Sequence, residues 1–350
     1  MRRIIRTTTT ASSCFRRTEK SSKTPWSLAI ERELDNAPHA QALGRIGKAV
    51  RVDDAAQRYL DFCLATVPGL DLRGRKIVLD CARRDLSPRA EAVCRTRRRR
   101  RCHRRAAWMA STSITVAGRP TCARCRIQYA GMVPISASPS TATATACRWS
   151  TRTGAVVDGD DLLYILALDR HARGELRGPV VGTLMSNYGI ERAIAGLGVE
   201  FLRADVGDRY VLQVLKQRGG VLGGEASGHL LCLDKVSTGD GIVAALLVLE
   251  ALQRLGMTLE TGARKRPSRA TDDRQRALLP ARLWSRRNPM QRVLALAQQQ
   301  MRGRGRVVLR PSGTEPLIRV TVEGDDVEEI GALASSMADA VKSASGQMAD

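Results

Sequence analysis

The chain has 350 residues, 43% of them hydrophobic and 3% aromatic, and carries a formal net charge of +22. This length allows two or three domains with sizeable cores. The average charge would favour a nucleic-acid partner, but residues 83–152 hold 16 Lys or Arg against 2 Asp or Glu, whereas residues 153–263 hold 10 against 14. No apolar run is long enough for a membrane span, and Met1–Thr10 lacks the apolar centre of a signal peptide. We therefore expect a cytoplasmic chain with reduced thiols.

The first predicted elements lie in residues 28–82. Ile30–Leu34 and Asp53–Leu64 have helical patterns, and the second helix would place on one face Ala56, Tyr59, Leu60 and Cys63. Lys76–Asp80 (KIVLD) predicts a buried strand.

Residues 83–151 show no period, and no fold is predicted for them. They contain the arginine run Arg97–Arg101, the small-residue tract Ser138–Ala146 and five of the nine cysteines. All four tryptophans lie outside the periodic segments. Cys122 and Cys125 could form half of a zinc site, but no second pair stands at zinc-like spacing, so thiols are the favoured interpretation.

Periodic patterns return near Arg152. Strands alternate with helices over short connections, which predicts a parallel sheet covered by helices. The predicted helices are Asp160–Leu168, Ile190–Leu197, Asp208–Gln217 and Gly239–Leu255. The predicted strands are Pro179–Leu184, Val199–Arg203, Gly220–Leu222 and His229–Leu233.

After residues 263–288, which again lack a pattern, a last unit follows. It is predicted as a small α+β domain. Its elements are helix Met290–Met301, strand Arg306–Leu309, loop Arg310–Pro316, strand Leu317–Val322 and helix Asp325–Lys342.

The loop Arg310–Pro316 (RPSGTEP), followed by Arg319, is rich in anion-binding groups. Two guanidinium groups, the hydroxyls of Ser312 and Thr314, and backbone N–H groups at Gly313 could bind a phosphate dianion without a metal. A hairpin turn whose Ser and Gly serve geometry alone is the other interpretation. Composition leaves both open.

A second polar loop, Gly224–His229 (GEASGH), follows a predicted strand, where ligands bind in open α/β sheets. Glu225 and Ser227 can exchange hydrogen bonds with sugar hydroxyls, and His229 could share in proton transfer at neutral pH. A histidine at a strand start is more often structural, so spacing alone does not decide. The polar turn Thr238–Gly241 is expected to cap the next helix.

Together these motifs resemble the α-D-phosphohexomutase superfamily and, within it, the bacterial phosphoglucosamine mutases. The similarity covers residues 28–82, 152–262 and 290–346 and is most specific in the last two. The phrases that carry it are Gly182–Gly189 (GTLMSNYG), Val206–Val211 (VGDRYV), Leu233–Lys235 (LDK), Thr238–Ile242 (TGDGI) and Val307–Val322 (VVLRPSGTEPLIRVTV).

The resemblance implies an α/β fold with mixed or parallel sheets, flanking helices and a small C-terminal α+β domain, arranged as four domains around a cleft. It implies interconversion of glucosamine 6-phosphate and glucosamine 1-phosphate, on the route to amino-sugar nucleotides and cell-wall precursors. The residues implied to contact the sugar are Glu225, Ser227, Gly228 and His229. Those implied to hold the distal phosphate are Arg310, Ser312, Gly313, Thr314 and Arg319.

In such enzymes a phosphoserine in an A-S-H-N-P loop donates the phosphoryl group, and a D-G-D-G-D-R loop binds Mg²⁺. Neither loop occurs in this sequence, so no catalytic serine and no metal ligand can be assigned. A change of reading frame explains the loss. With each codon begun one base earlier, Ser140–Arg148 can give Phe-Asp-Gly-Asp-Gly-Asp-Arg-Val-Gln, and Met1–Thr8 can give Ala-Ser-His-Asn-Pro-Tyr-Asp. The same shift turns Trp108–Ile114 into Asp-Gly-Leu-Asn-Ile-Asn, and the opposite shift turns Thr271–Leu278 into Pro-Thr-Thr-Val-Asn-Val-Arg.

The third base of most codons can vary without changing the residue, but four family phrases at their expected places favour the frame-shift hypothesis over a natural basic insertion. We therefore expect six segments. They are an out-of-frame remnant of domain I (1–27), the end of domain I with the start of domain II (28–82), an out-of-frame remnant of domain II (83–151), domain III (152–262), an out-of-frame linker (263–288) and domain IV (289–350).

The expected protein is a phosphoglucosamine mutase homologue without turnover, whose partner is a phosphorylated amino sugar. Mg²⁺ is the cofactor of the family and is not expected on this chain. The alternatives are a phosphomannomutase or phosphoglucomutase relative, a catalytically dead sugar-phosphate binder, and a basic nucleic-acid-binding protein built on residues 83–152. We expect no specific nucleic acid and no membrane association, and the sequence leaves the oligomeric state open.

Overall fold

The computed structural model describes Arg32 and residues 51–73, 77–80, 133–137, 145–151, 153–266, 270–277, 288–311 and 317–346. Within them the helices are α1 Ala55–Thr66, α2 Gly159–Ala172, α3 Tyr188–Ala195, α4 Asp208–Arg218, α5 Gly241–Arg254, α6 Leu259–Lys265, α7 Asn288–Gln300 and α8 Val327–Gly346. The strands are β1 Ile77–Asp80, β2 Val133–Ala137, β3 Cys147–Ser150, β4 Val156–Val157, β5 Val180–Thr183, β6 Phe201–Ala204, β7 Leu222–Gly224, β8 Leu230–Cys232, β9 Ala270–Ala277, β10 Gly305–Pro311 and β11 Leu317–Gly324.

These strands form sheets in the orders β1-β2-β3-β4, β6-β5-β7-β8 and β10-β11-β9. The pair β5–β7 is parallel, whereas β7–β8 is antiparallel, so the sheet predicted as parallel is mixed. The predicted α/β class with a small C-terminal α+β domain is confirmed. The chain divides into two compact units, Met1–Thr183 with Leu202–Ala263, and Leu184–Phe201 with Arg264–Asp350.

Helix α5 is the buried centre of the first unit. The Asp240 carboxylate caps it by accepting hydrogen bonds from the N–H groups of Ile242 and Val243 at 2.9 and 3.0 Å, as predicted for the turn before this helix. The Tyr59 hydroxyl of α1 donates to the same carboxylate at 2.8 Å. Burial, and then the charge of Asp240, raise the pKa of Tyr59, so the phenol stays a donor.

Among the helices that the structure describes, none alone is long and apolar enough to cross a membrane. The consecutive pair α5 and α6 meets that criterion together, by length and composition, with a bend of 87° between the two helices.

The second unit is built on the β10–β11 hairpin. Side chains alternate between the two faces of a strand, and one face here is apolar. Its buried members are Val307, Leu309, Ile318, Val320 and Val322, which pack with Ile330, Ala334 and Met337 of α8 and with Ala297 and Met301. Strand β9 completes the sheet by pairing antiparallel with β11 at every position from Ala270 to Ala277.

The structure places strands in two segments for which the sequence pattern predicted none. Strands β2 and β3 lie within residues 83–151, and β9 lies within residues 263–288. Trp149 of β3 is fully buried, although its segment carries no apolar pattern. Backbone pairing with a neighbouring strand imposes these strands on sequences without strand periodicity. The predicted helix Ile30–Leu34 apart from Arg32, the Arg97–Arg101 run and the Cys122–Cys125 pair lie outside the described residues.

The register of β9 generates a stability prediction. Arg274 and Arg276 stand opposite Val320 and Ile318, whose side chains are 0% and 2% exposed on the apolar face of the sheet. Replacing both arginines with valine should raise the free energy of unfolding by about 1 kcal/mol or more, since each valine would form an apolar cross-strand pair with a buried residue of β11. Denaturant titration of the full chain measures the change.

The matched control is Gln275→Val. Gln275 stands opposite Arg319, on the other face of the sheet, so the added methyl groups would not join the apolar cluster. Equal stabilisation by the control and by the double substitution would contradict the register.

Candidate functional site

The loop between β7 and β8 brings together three of the residues predicted to contact a sugar. The Ser227 hydroxyl lies 2.8 Å from His229 Nδ1, and the same nitrogen lies 3.4 Å from Glu225 Oε2. Glu225 is 8% exposed, whereas Ser227 is exposed. The loop therefore presents a hydroxyl, an imidazole and a carboxylate in mutual contact. Such a set can both donate to and accept from a polyhydroxyl ligand.

Backbone bonds close this loop into a fixed turn. The Glu225 N–H donates to the His229 carbonyl and the Gly228 N–H donates to the Glu225 carbonyl, each at 2.9 Å. Gly228 has φ of 98°, a conformation that L side chains rarely adopt, which explains the glycine at this point of the motif.

Helix α2 begins directly against the loop. The Gly159 N–H donates to the Ala226 carbonyl at 3.0 Å, and a Cβ at Gly159 would lie 1.9 Å from the Glu225 carbonyl oxygen. Sequence reasoning missed this glycine. Its signal is the Asp158-Gly159-Asp160 start of a helix, where Asp158 caps the helix through a capping box with Asp161.

A second missed residue is Gly207, whose N–H donates to Glu225 Oε1 at 2.8 Å. One carboxylate oxygen of Glu225 therefore holds the turn before α4, while the other faces His229. Gly207 belongs to the phrase Val206–Val211, so the resemblance included it, but no local pattern predicts the contact with Glu225.

The site also touches the start of β3. Ala146 and His229 form an antiparallel bridge, so the polypeptide of residues 145–151 runs beside the sugar loop. Beside the sugar loop, Thr145 offers a hydroxyl and a methyl group and Ala146 a methyl group, so neither residue supplies a carboxylate. In the shifted frame these two positions would be the last Asp and the Arg of the D-G-D-G-D-R loop.

Among the residues that the structure describes, Thr145 and Ala146 beside the sugar loop offer no carboxylate to a Mg²⁺ ion. This ion takes carboxylate oxygens as its protein ligands. Within the described part of the chain, no group of three or more His, Cys, Asp or Glu side chains is placed to hold a metal.

The phosphate motif lies on the β10–β11 hairpin. Arg310 and Arg319 are direct cross-strand partners, so both project from the same face of the sheet, as predicted from the sequence. Arg310 Nε is buried and has no hydrogen-bond partner among the described residues. Like charges directly opposite each other are destabilising, and an anion between them would offset the repulsion. Ser312, Gly313 and Thr314 lie outside the described residues.

Ligands of open α/β sheets bind at strand ends, which is where the Gly224–His229 loop lies between β7 and β8. Two family models match the chain: "Phosphoglucomutase/phosphomannomutase, alpha/beta/alpha domain III" over residues 158–270, and the "C-terminal domain" of the same family over residues 280–340.

Curated relatives refine this class. The phosphoglucosamine mutase of Xylella fastidiosa (strain M23) is 42% identical over 316 residues, which cover 85% of this chain and 68% of the relative. That of Alkalilimnicola ehrlichii is 41% identical over 336 residues, covering 91% and 70%. The chain belongs to the phosphoglucosamine mutase family.

Solved structures share the fold. The N-acetylphosphoglucosamine mutase of Aspergillus fumigatus, in complex with GlcNAc-6P and magnesium, matches with a TM-score of 0.61 at 17% identity, over 84% of this chain and 66% of its own. A phosphoglucomutase/phosphomannomutase family protein of Burkholderia thailandensis gives 0.59 at 16% identity, over 83% and 64%. The chain thus spans slightly less than two thirds of the length of these solved proteins.

The close approach at Gly159 yields a prediction. Gly159→Ala should lower the free energy of unfolding by about 2 to 3 kcal/mol, because the new methyl group collides with backbone atoms that cannot rotate away. Thermal unfolding of the full chain measures the loss. The control is Gly239→Ala, whose Cβ would meet its nearest atom at 3.5 Å and should be tolerated. Equal stability of the Gly159→Ala variant and the unsubstituted chain would contradict the packing of α2 on the sugar loop.

Proposed function

We propose that this chain binds glucosamine 6-phosphate and does not convert it. The observation that carries the proposal is the pairing of Arg310 with Arg319 directly across two strands. Two guanidinium groups on one face supply the bidentate, charge-assisted donors that a phosphate dianion accepts. The solved relative from Aspergillus fumigatus holds GlcNAc-6P, which is an amino-sugar phosphate of the same kind.

For the Gly224–His229 loop the proposed role is binding of sugar hydroxyls. Glu225 Oε2 and the Ser227 hydroxyl would exchange hydrogen bonds with sugar hydroxyls, while His229 Nδ1 lies between them. Glu225 Oε1 already accepts from Gly207, which fixes the carboxylate before a ligand arrives. Prior fixation of a binding group reduces the entropy lost on binding.

Turnover is not expected because phosphoryl transfer depends on a positioned nucleophile and on neutralisation of charge. The serine loop and the aspartate loop of the family do not occur in this sequence. Thr145 and Ala146, beside His229, stand where the shifted frame would supply an Asp and an Arg. Mg²⁺ therefore has no ligand set in the described residues, and we propose that the chain does not bind it.

The frame-shift hypothesis gains support from two further positions. The opposite shift that restores Pro-Thr-Thr-Val-Asn-Val-Arg over Thr271–Leu278 places its two valines at Arg274 and Arg276. Those are the two β9 positions that stand opposite the buried side chains of Val320 and Ile318. A strand paired in this register is expected to carry apolar residues at those positions, and the shifted frame supplies them.

The buried indole of Trp149 also supports the frame-shift hypothesis, because its Nε1 has no hydrogen-bond partner among the described residues. Buried donors in native cores are normally paired.

We propose a cytoplasmic location, as expected for an enzyme family acting on metabolic sugar phosphates. Attraction of residues 83–152 to nucleic acid would be non-specific and would fall steeply with salt.

Binding is tested by calorimetric titration of the full chain with glucosamine 6-phosphate. Arg310→Ala should weaken the affinity by about tenfold or more, because a charge-assisted contact to the phosphate is lost. Arg302→Ala is the matched control, since Arg302 is an exposed arginine in the turn after α7. An equal effect of both substitutions would mean that only net charge matters and would contradict a site at the hairpin.

Activity is tested by rebuilding the gene. Restoring the frames over Met1–Thr8 and Ser140–Arg148, in a chain of the relatives' full length, should yield conversion of glucosamine 6-phosphate with Mg²⁺ and a bisphosphorylated sugar activator. The chain in its present sequence should give no rate above a protein-free blank in the same coupled assay. Metal-dependent conversion by the present sequence would contradict the proposal.

A further inference from the structure

A buried ion pair in the second unit reaches beyond its own hairpin. Arg306 and Glu323 are cross-strand partners on β10 and β11, and the Glu323 Oε2 lies 3.0 Å from Arg306 Nε and 2.9 Å from Nη2. Further hydrogen bonds join this ion pair to the backbone of Leu184–Tyr188, at the start of α3. Arg306 donates to the carbonyls of Leu184 and Ser186, each at 2.9 Å, and Glu323 accepts from the Tyr188 N–H at 2.8 Å.

These contacts are well shielded from water. The side chain of Arg306 is 14% exposed and that of Glu323 is 4% exposed. The two ions thus compensate each other's charge while both bind the backbone of Leu184–Tyr188. A buried pair of this kind is costly to break, because the remaining charge is left without a partner.

Strand alternation places this pair on the same face as the candidate phosphate site. Arg306 and Arg310 are four residues apart on β10, and their partners Glu323 and Arg319 are four apart on β11. Four residues of strand span about 13 Å. Thr321, on the β11 row between them, is 6% exposed. Val308, the cross-strand partner of Thr321, lies between Arg306 and Arg310 on β10. The ion pair and the paired arginines are therefore two ends of one face of the hairpin.

We propose that Arg306 and Glu323 are positioning residues. They clamp Leu184–Tyr188 onto the end of this hairpin face that carries the ion pair, and so fix the face from which Arg310 and Arg319 bind phosphate. The effect on ligand affinity rests on the proposed function, whereas the clamp itself does not. The planar fork of Arg306 is essential, because a lysine ammonium cannot reach Glu323 and both carbonyls in the same geometry.

The test uses the full chain with Arg306→Lys, which keeps the charge and loses the fork. The matched control is Arg304→Lys, since Arg304 is 58% exposed and pairs with Glu329 at 2.8 Å without touching Leu184–Tyr188. Hydrogen exchange of the peptide over residues 184–195, read by mass spectrometry, should accelerate about tenfold in Arg306→Lys and stay unchanged in Arg304→Lys. Glu323→Gln keeps an acceptor for the Tyr188 N–H and should accelerate hydrogen exchange by an intermediate factor. This variant replaces Arg306→Lys in the test if Arg306→Lys fails to fold.

The second readout is affinity for glucosamine 6-phosphate, measured well below the unfolding transition of every variant. Arg306→Lys should weaken it by about threefold to tenfold, although residue 306 lies far from the phosphate. Unchanged exchange in both clamp variants would overturn the clamp. Faster exchange with unchanged affinity, in a chain that binds the ligand, would overturn the positioning role. If the unsubstituted chain binds no glucosamine 6-phosphate, the proposed function fails, and exchange alone decides whether the clamp exists.

Discussion

Alternation of side chains along the β10–β11 hairpin is the constraint on which the second unit depends. One face supplies Val307, Val320 and Val322 to the apolar cluster under α8. The opposite face carries Arg310 with Arg319 at one end and Arg306 with Glu323 toward the other. A one-residue slip of the register would reverse every one of these assignments, burying the guanidinium groups and exposing the valines. The apolar core and the proposed phosphate site are therefore set by the same strand register.

The periodic segments were predictable because their periodicity reports which face is buried. Asp53–Leu64 was expected as a helix and α1 spans Ala55–Thr66, and the last two strands agree with β10 and β11 within a few residues. Strand β9 could not be predicted, because its sequence ATDDRQRA has no apolar alternation. Its conformation comes from the unpaired edge of β11, which offers a full set of backbone partners. The conformation of β9 therefore depends on its pairing with β11 and not on its own sequence.

In the candidate site, too, local sequence predicted some features and contacts between distant residues decided the others. The composition of Gly224–His229 suggested a polar ligand, and the structure brings Glu225, Ser227 and His229 into contact. The contacts of Gly159 and Gly207 with this loop had no local signal, since they join residues far apart in sequence. The Arg306–Glu323 clamp was equally hidden, although both residues flank the phrase that carried the family resemblance. Sequence pattern identifies the groups that meet a ligand more readily than those that hold them in place.

The central claim is that this chain retains ligand recognition but lacks the groups for phosphoryl transfer. One experiment addresses both parts: ³¹P NMR of glucosamine 6-phosphate incubated with the full chain, Mg²⁺ and a bisphosphorylated sugar activator. The claim predicts that the 6-phosphate resonance broadens or shifts as protein is added, and that no glucosamine 1-phosphate resonance grows. A sharp, unshifted resonance would contradict retained binding, and a growing product resonance would contradict the loss of turnover.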